Sequence, residues 1–255
     1  MSSSTSTKDL YNGIEFPTWI ELENLNPQEL YLIQKYLLPD LKTVEAGTNG
    51  GRILLEMQEM GFTDLAGFDF VPALIDRAIE RDRSRSIDFQ VGDAIALAYA
   101  TNSFDQIVYL QQIVCIMDNT QARLRALQEA YRILKPGGTG LFSFLSFDSR
   151  HSQFIYASYL KYLTTIRKLR GDNRSMQELP WLKLGGKFNP NALFDRPPYI
   201  YWYRHTEICD LVRSVGFEIV AIGSDPQIEA DRLVTSDREL ATRDLAGMLY
   251  VVVKK

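Results

Sequence analysis

The sequence predicts an α/β fold, a doubly wound and mostly parallel sheet of seven strands with a cap inserted after the fifth strand. Three observations lead to this prediction. Short strand-like runs alternate with amphipathic stretches between residues 43 and 147, a glycine-dense turn follows the first run, and a long aromatic segment then interrupts the alternation. Repeated strand–helix–strand units imply parallel strands with helices on both faces of the sheet.

Five short apolar runs predict the first five strands, because they are rich in β-branched or aromatic residues and are bounded by glycine, aspartate or asparagine. These runs are VEA from Val44, LAGFD from Leu65, IDFQVGD from Ile87, FDQIVYL from Phe104 and GTGLFSFLSF from Gly138. Beyond the aromatic segment, FEIVAIG and the final MLYVVVKK predict two more strands, with the helix HTEICDLVRSV closed by Gly216 before them. The count reaches seven strands.

The helices between the early strands are predicted from apolar residues at helical spacing. One stretch stops at Gly61, and the next follows Pro72, which suits the first turn of a helix. A third is capped by Asp118 or Asn119 and ends at the turn KPGG, residues 135–138. The alternation therefore continues through the first five strands.

The chain is expected to form one domain with functional subdivisions. These are an N-terminal helical lid at 1–40, a ligand-binding core at 41–145, a cap that binds the second ligand at 146–203, and a C-terminal helix with strands at 204–255 that completes the sheet. In the lid, Asn26 and Pro27 predict the start of an amphipathic helix. Tyr11 has two interpretations, folding over the ligand or packing within the N-terminal segment.

Composition and charge favour a soluble cytoplasmic protein. The net charge is −4 and the isoelectric point is near 5.4, which argues against extended phosphate contact and makes nucleic acid an improbable partner. The two cysteines, Cys115 and Cys209, lie in apolar segments and fit a reducing compartment. Nothing resembles a signal peptide or a membrane span, and we expect no metal site.

The turn TVEAGTNGGR, from Thr43 to Arg52, is the most informative stretch of the sequence. A strand, a glycine-dense turn and a helix start form a cradle, because glycine permits close backbone approach and helix N-termini expose N–H groups. Glu45 adds a negative charge at the mouth of this cradle, which repels a pyrophosphate. The turn also lacks two glycines of the dinucleotide fingerprint, at Asn49 and Arg52. A ligand with a cationic end fits better.

Three acidic residues lie at the carboxyl ends of the first three predicted strands, where ligands bind in open parallel sheets. Glu45 ends the first strand, Asp69 the second and Asp93 the third. A carboxylate in the position of Asp69 accepts hydrogen bonds from both hydroxyls of a ribose.

With these residues in place, residues 43–138 resemble the class I methyltransferases that use S-adenosylmethionine. The resemblance rests on E-x-G-x-N-x-G from Glu45 to Gly51, the acidic GFD at Asp69 followed by P-x-L-I-x-x-A, the GDA at Asp93, the run NSFDQIVY and the turn RILKPGG. Each motif is weak alone, but their order and spacing over about a hundred residues are specific. The resemblance implies S-adenosylmethionine as cofactor and S-adenosylhomocysteine as product.

The resemblance also implies which residues bind this cofactor. The turn would wrap the methionine part, Asp69 would bind the ribose, Phe70 would lie against adenine or ribose, and the third strand end would face adenine. The expected cofactor-binding residues are Glu45, Gly47, Thr48, Asn49, Gly51, Asp69, Phe70, Asp93, Ala94, Leu110 and Gln111.

Two departures from the family pattern affect this interpretation. Asn49 stands where the family usually has glycine, and asparagine is the non-glycine residue that best tolerates a left-handed backbone, so the cradle is expected to keep its geometry. The tetrad D/N-P-P-Y/F is absent after the fourth strand, where LQQIVCIMD stands instead. Its absence disfavours the amino-methylating enzymes of nucleic acids.

The acceptor side is less constrained by the sequence. His151 follows the fifth strand and is the candidate general base, against a surface role, while His205 is expected to be structural. Most aromatic rings of 146–203 are expected to pack as core and the rest to line an apolar acceptor pocket. The basic run from Arg167 to Arg174 is either a solvated helix face or a clamp for an acceptor carboxylate or phosphate.

The predicted activity is methyl transfer from S-adenosylmethionine to an oxygen or nitrogen of a small molecule, favoured over carbon. Methyl transfer chiefly requires positioning of donor and acceptor, so a base is needed only if the acceptor must lose a proton. Methylation of RNA or of a protein side chain is the first alternative, supported by the basic run. A cofactor-binding protein without turnover is the second. The sequence does not predict the acceptor or the oligomeric state.

Overall fold

The computed structural model describes residues 7–20 and 22–255, without the side chains at positions 7, 8, 12, 151 and 152. The helices are α1 (Thr7–Asn12), α2 (Phe16–Ile20), α3 (Pro27–Tyr36), α4 (Arg52–Glu59), α5 (Pro72–Arg81), α6 (Thr120–Ile133), α7 (Phe147–Ser152), α8 (Phe154–Arg170), α9 (His205–Val215), α10 (Asp225–Glu229) and α11 (Asp237–Leu240), with a 3₁₀ helix at Pro190–Phe194. The strands are β1 (Thr43–Ala46), β2 (Leu65–Asp69), β3 (Asp88–Val91), β4 (Phe104–Tyr109), β5 (Leu134–Leu145), β6 (Glu178–Pro180), β7 (Lys183–Leu184), β8 (Lys187–Phe188), β9 (Tyr199–Tyr201), β10 (Glu218–Ser224) and β11 (Met248–Lys254).

The main sheet has seven strands in the order β10-β11-β5-β4-β1-β2-β3. β1 to β5 are parallel, and β11 pairs antiparallel with both β5 and β10. The strand order reverses between β1 and β4, which places the carboxyl ends of these strands beside the crevice where ligands bind in such sheets. The predicted fold class, including the cap after the fifth strand, is confirmed.

The core lies on both faces of this sheet. On one face Leu127 of α6 and Ile208 of α9 are buried, and on the other face Leu54 of α4 and Ile75 of α5 are buried. β4 supplies both faces because successive side chains of a strand point in opposite directions, and it is buried from residue 106 to residue 109. The sheet is thereby covered on both sides, as parallel sheets require.

The predicted helix starts and ends agree with the structure at most positions. Asn26 caps α3 by accepting a hydrogen bond from the Glu29 N–H at 2.8 Å, and Asn119, not Asp118, caps α6 by accepting from Ala122 N–H at 2.9 Å. The turn at residues 135–138 differs, because β5 already begins at Leu134 and the turn lies inside it as a register shift against β4.

The segment 146–203 contains α7, α8, the 3₁₀ helix and the four short strands β6 to β9. β6 pairs with β9 and β7 with β8, both antiparallel and both outside the main sheet. The Tyr203 carbonyl and N–H bond to Phe147 N and Leu145 O at 2.8 Å each, so the end of this segment returns to the end of β5. Within the described ranges, no helix combines the length and the apolar composition needed to cross a bilayer.

Candidate functional site

The glycine turn after β1 adopts the cradle geometry expected from the sequence. The N–H groups of Gly47 and Thr48 both donate to the Phe68 carbonyl, at 2.8 and 3.1 Å, which ties the turn to the end of β2. Asn49 has φ of 51° and its side-chain amide donates to the Gly47 carbonyl at 3.0 Å. A Cβ at Gly47 would lie 2.2 Å from Ile113 Cδ1, so this position accommodates glycine alone. Asparagine keeps the left-handed conformation, as predicted.

The Asp69 carboxylate lies at the centre of this strand end. It is 4% exposed, and its two oxygens accept hydrogen bonds from the backbone N–H groups of Asn49 at 3.1 Å and Val71 at 2.9 Å. Burial raises the pKa of Asp69 to about 6, against the opposing effect of these N–H groups. The Phe70 N–H is a third backbone donor to this carboxylate, and because a carboxylate has about four acceptor sites, capacity for a ligand hydroxyl remains.

A small cavity of about 110 Å³ opens at the carboxyl ends of β1, β2 and β3, and we call it the strand-end slot. Asp69 and Asp93 supply its acidic groups. The slot is lined by Gly47, Phe68, Asp69, Phe70, Gly92, Asp93, Ala94, Ile95, Ile113, Ile116, Met117, Asp118 and Ala122. The fold thus brings five of the predicted cofactor-binding residues into one cavity, with apolar side chains on its walls.

Glu45 differs from its expected position. Its carboxyl group is 3% exposed and accepts a hydrogen bond from the Thr48 hydroxyl at 2.7 Å, so it lies beneath the turn and lines neither the strand-end slot nor the neighbouring cavities described below. Burial raises the pKa of Glu45 to about 8, although Thr48 and Arg52 oppose the shift. The prediction of a charge at the mouth of the cradle is therefore wrong, because the Glu45 side chain points into the protein beneath the turn.

Arg52 joins the turn to the N-terminal segment through a buried ion pair. Its guanidinium donates to both carboxylate oxygens of Glu29 in α3, at 2.6 and 2.8 Å, and to the Asn24 carbonyl at 2.8 Å. The Gln111 side chain also donates to Glu29. Gly51, the last glycine of the turn, caps α4 with φ of 80°, and Arg52 is the first residue of that helix. The position that excludes a dinucleotide fingerprint therefore anchors α3 to the turn.

The loop after β4 carries the last two predicted cofactor residues. Leu110 is 2% exposed and packs in the core, while Gln111 has φ of 60° and Gln112 has φ of 66°. Two consecutive left-handed residues other than glycine turn the chain sharply at this carboxyl end. Gln111 lines a narrow passage beside the slot, and Gln112 lines a larger cavity.

This larger space, of about 430 Å³, we call the aromatic cavity. Residues from the N-terminal segment, from the ends of β4 and β5 and from the cap line it. They are Tyr11, Glu15, Trp19, Gln112, Leu145, Arg150, Tyr156, Tyr159, Leu160, Leu179, Pro180, Trp181, Leu182, Lys183, Ile200 and Trp202. Segment 146–203 contains twelve aromatic residues, and four of them line this cavity. Four others, Phe154, Tyr162, Phe188 and Phe194, are exposed instead of packing as core.

A narrow passage lies between the two cavities and shares lining residues with each. Tyr11 and Trp19 also line the aromatic cavity, and Gly47, Asp69 and Phe70 also line the strand-end slot. The ring of Tyr11 makes edge contacts with Phe70 at 5.9 Å and Trp181 at 6.1 Å between centroids. Tyr11 therefore packs against Trp19 of the N-terminal segment and lines the passage, and its folding over the ligand stays a prediction.

The predictions for the two histidines have different outcomes. The side chain of His151 lies outside the described part of the chain, although its backbone belongs to α7. His205 has a structural environment, as expected, with Nδ1 2.7 Å from Asp148 Oδ2 and its backbone N–H donating to the same oxygen at 2.9 Å.

Arg167 is neither a solvated residue nor a ligand clamp. It is 3% exposed and forms a two-point ion pair with Asp195 at 2.7 and 2.8 Å inside the cap. Arg174 lies over the ring of Tyr199 at 3.8 Å, and Lys168 is exposed on α8. The helical pattern left the run unassigned because the partner Asp195 is distant in sequence.

Sequence reasoning missed five residues that shape this region, namely Glu29, Arg52, Trp19, Trp181 and Arg150. Glu29 had an available signal, because glutamate three residues after an asparagine cap completes a capping box, and it does so here. The other four lie far apart in the sequence and are brought together only by the fold.

Comparisons with known proteins support the resemblance to the class I methyltransferases. Residues 44–142 match the family model of a methyltransferase domain. Demethylmenaquinone methyltransferase of Deinococcus radiodurans is 32% identical over 100 residues, which are 38% of this chain and 40% of that relative. Ubiquinone/menaquinone biosynthesis C-methyltransferase of Desulfotalea psychrophila is 34% identical over 74 residues, 29% of this chain and 28% of that relative. The matches thus span less than half the length of these two curated relatives.

The fold is similar over a longer range. An S-adenosylmethionine-dependent methyltransferase of Methanosarcina mazei has a TM-score of 0.66 at 20% identity, covering 92% of this chain and 99% of the other. At this identity the likeness concerns the fold, whereas the matched domain and the strand-end motifs concern the family. On these grounds residues 44–142 form a methyltransferase domain, and the chain has the fold of the methyltransferases that use S-adenosylmethionine.

Proposed function

We propose that the protein transfers a methyl group from S-adenosylmethionine to a ring-bearing small molecule held in the aromatic cavity. One observation carries this proposal, namely that the strand-end slot and the aromatic cavity each share lining residues with the narrow passage between them. The cavity volume of about 430 Å³ and its aromatic lining suit a small acceptor with one or two rings. In this arrangement the acceptor approaches the cofactor through the passage.

The residues of the strand-end slot fit the cofactor. Asp69 retains acceptor capacity for a ribose hydroxyl, Asp93 and Ala94 border an apolar slot suited to adenine, and Gly47, at φ of 64°, presents no side chain to the slot. When bound there, the cofactor supplies a methyl group on a cationic sulfonium. Asp69 then offers negative charge near a cation, which favours its ionised form.

The protein contributes orientation and exclusion of water. Tyr11 and Trp19 cover the passage, and the ion pair between Arg52 and Glu29 holds the lid helix against the turn. Among the described side chains that line the aromatic cavity, Glu15 is the one carboxylate, and its oxygens accept hydrogen bonds from the Gly185 N–H at 2.6 Å and the Trp19 indole at 3.2 Å. The proposal therefore assigns catalysis to positioning.

The acceptor atom remains part of the proposal. Oxygen or nitrogen is the first candidate, because a phenol or an amine of suitable acidity needs little help from a base. A ring carbon is the second candidate, because the two curated relatives are named for methylation in menaquinone and ubiquinone biosynthesis and one of them as a C-methyltransferase. The matched domain ends at residue 142, before the cap, so these names bear on the cofactor half.

The size and the mainly apolar, aromatic lining of the aromatic cavity support a small acceptor over RNA or a protein side chain. Arg167, the central cation of the run that favoured a macromolecule, is buried in an ion pair with Asp195. The alternative of a binding protein without turnover is addressed by experiment.

The test begins with calorimetric titration of S-adenosylmethionine and S-adenosylhomocysteine, and absence of binding by both would overturn the proposal. A panel of phenols, aromatic amines and reduced naphthoquinones is then incubated with trideuteromethyl-labelled cofactor. Mass spectrometry of the products identifies the labelled atom. Transfer to oxygen or nitrogen supports the first candidate, transfer to a ring carbon supports the second, and cofactor binding without transfer to any acceptor favours the binding protein.

A further inference from the structure

Arg150 stands out among the residues that line the aromatic cavity. It lies on α7, directly after β5, and its guanidinium carbon is 3.7 Å from the ring centroid of Tyr156 and 4.2 Å from that of Trp202. The side chain is partly buried, and none of the carboxylates among the described residues comes within ion-pair distance of it. A cation thus enters an apolar, aromatic space with no counter-charge from the described side chains.

The buried arginines among the described residues are accommodated in two ways. Arg52 pairs with Glu29 and Arg167 pairs with Asp195, each through two hydrogen bonds to one carboxylate, whereas Arg123 stacks on the ring of Tyr201 and donates to the Met117 carbonyl and the Thr120 hydroxyl. These pairings follow from the high cost of withdrawing a charge from water. Arg150 is stabilised by two aromatic faces instead, and this leaves the charge available to a ligand.

The geometry of the stack prepares the guanidinium for a planar ligand. A guanidinium that stacks on aromatic faces keeps its N–H donors at the edge of its plane, where they form the fork that matches a carboxylate. Burial lowers the pKa of Arg150, with partial compensation by the hydroxyl of Tyr156. The group nevertheless remains charged at neutral pH, because guanidinium does not deprotonate in proteins.

Two further features of the cavity point to a ligand with oxygen acceptors. The indole N–H of Trp181 is buried, with the residue 8% exposed, and it has no hydrogen-bond partner in the described part of the chain. Lys183 is an exposed second cation at the cavity wall, and the only opposing charge among the described lining residues, Glu15, already accepts two hydrogen bonds. The cavity therefore has donors and positive charge in excess.

We propose that the methyl acceptor is an aromatic or alicyclic carboxylic acid, with its carboxylate held by the stacked guanidinium of Arg150. This inference rests on the proposed function, and it adds the chemical class of the substrate. The ring of the acceptor packs among the aromatic side chains while the carboxylate fixes its orientation.

The test uses 3-phenylpropionate and its neutral isostere 3-phenylpropionamide as probes. The chain has three tryptophans, Trp19, Trp181 and Trp202, and all three line the aromatic cavity, so their fluorescence reports its occupancy. The wild-type protein is expected to bind the acid at least about tenfold more tightly than the amide, because a charge-assisted pair is lost with the amide. Equal affinities would overturn the proposal.

The variant Arg150→Met is expected to remove this preference, and Arg150→Lys to keep part of it because the charge remains without the planar fork. The matched control is Arg174→Met, which removes another arginine stacked on a cap ring, over Tyr199, that lies outside the cavity lining. It is expected to retain the wild-type preference. A preference that survives Arg150→Met, or tighter binding of 3-phenylpropyl phosphate than of the acid, would overturn the assignment of a carboxylate.

Titration with S-adenosylhomocysteine separates this inference from the proposed function. Cofactor binding by Arg150→Met that matches wild type shows that the variant is folded, so a loss of the acid preference is then assigned to Arg150. If the wild-type protein prefers the acid but binds neither cofactor, the proposed function fails and the anion site stands. If it binds cofactor and shows no preference, the anion site fails and the proposed function stands.

Discussion

The strand-end slot and the aromatic cavity are adjacent but are built in different ways. The slot is formed by the end of β2, by the turns after β1, β2 and β3, and by the loop after β4 with the first turn of α6, all within residues 47–122. The cavity combines the N-terminal segment, the loop after β4, and the cap. A site made of strand ends is specified by short motifs, whereas a site made of distant segments is specified by how these segments pack.

The two regions also differ in charge. Two carboxylates, Asp69 and Asp93, lie in the wall of the slot. The aromatic cavity has two cations, Arg150 and Lys183, and one carboxylate, Glu15, which accepts hydrogen bonds from Gly185 and Trp19. Opposite charge in neighbouring sites suits a cationic donor on one side and an anionic acceptor on the other. Five predictions test this contrast.

The largest expected effect concerns the ion pair that stabilises the cap. Arg167→Met leaves the Asp195 carboxylate buried and unpaired, so the free energy of unfolding should fall by about 3–5 kcal/mol. Lys168→Met on the exposed face of α8 is the control and should change it by less than about 0.5 kcal/mol. Urea denaturation measures both. Equal stability of the two variants would mean that the cap does not depend on this pair.

The second prediction concerns the slot alone. Asp69→Asn should weaken binding of S-adenosylhomocysteine by about 1 to 3 kcal/mol, because charged hydrogen bonds to the ribose are lost. Calorimetry measures this change, and 3-phenylpropionate binding should stay constant because Asp69 does not line the aromatic cavity. Asp88→Asn, an exposed change on β3, is the control. Unchanged cofactor affinity in Asp69→Asn would remove Asp69 from the ribose site.

The third prediction concerns pH. The pKa values of about 6 for Asp69 and about 8 for Glu45 mean that both carboxyls gain protons as pH falls, so affinity for cationic S-adenosylmethionine should decrease. Between pH 7 and pH 5 the expected decrease is about tenfold if the ionised Asp69 is required. Calorimetry at several pH values measures it. A flat profile would show that neither carboxyl interacts with the cofactor.

Stability of the free protein should show the opposite sign. Because both pKa values are raised in the folded state, the folded protein binds more protons than the unfolded chain between about pH 4 and pH 8. The contribution of these groups to the free energy of unfolding is therefore present at low pH and is lost as pH rises through 6 and 8. Glu45→Gln should remove the part of this slope that lies above pH 6.

The smallest expected effect concerns the turn. Asn49→Ala keeps a β-carbon at a backbone φ of 51° but removes the side-chain amide that donates to the Gly47 carbonyl. It should destabilise the fold by about 1 kcal/mol. Asn49→Gly should change stability less, because glycine adopts this conformation without strain while losing the bond to the Gly47 carbonyl. Thermal unfolding compares them. Equal destabilisation by both substitutions would indicate that the side-chain bond, rather than the backbone conformation, is what matters.

The sequence by itself determined the sheet, the turn and the family, because these depend on local rules. Periodicity predicts strands and helices, glycine and asparagine mark the left-handed positions, and an acidic residue ends β2 where a ribose-binding group is expected. It also implied the cofactor through the spacing of motifs that all lie within residues 43–138.

The tertiary structure decided which charges are satisfied, because an ion pair depends on distance in space and not on spacing in the chain. It buried Glu45, paired Arg52 with Glu29 and Arg167 with Asp195, and left Arg150 between two aromatic rings. Desolvation makes each of these outcomes energetically large. For that reason the acceptor side of this protein follows from packing, whereas its cofactor side was already specified by sequence.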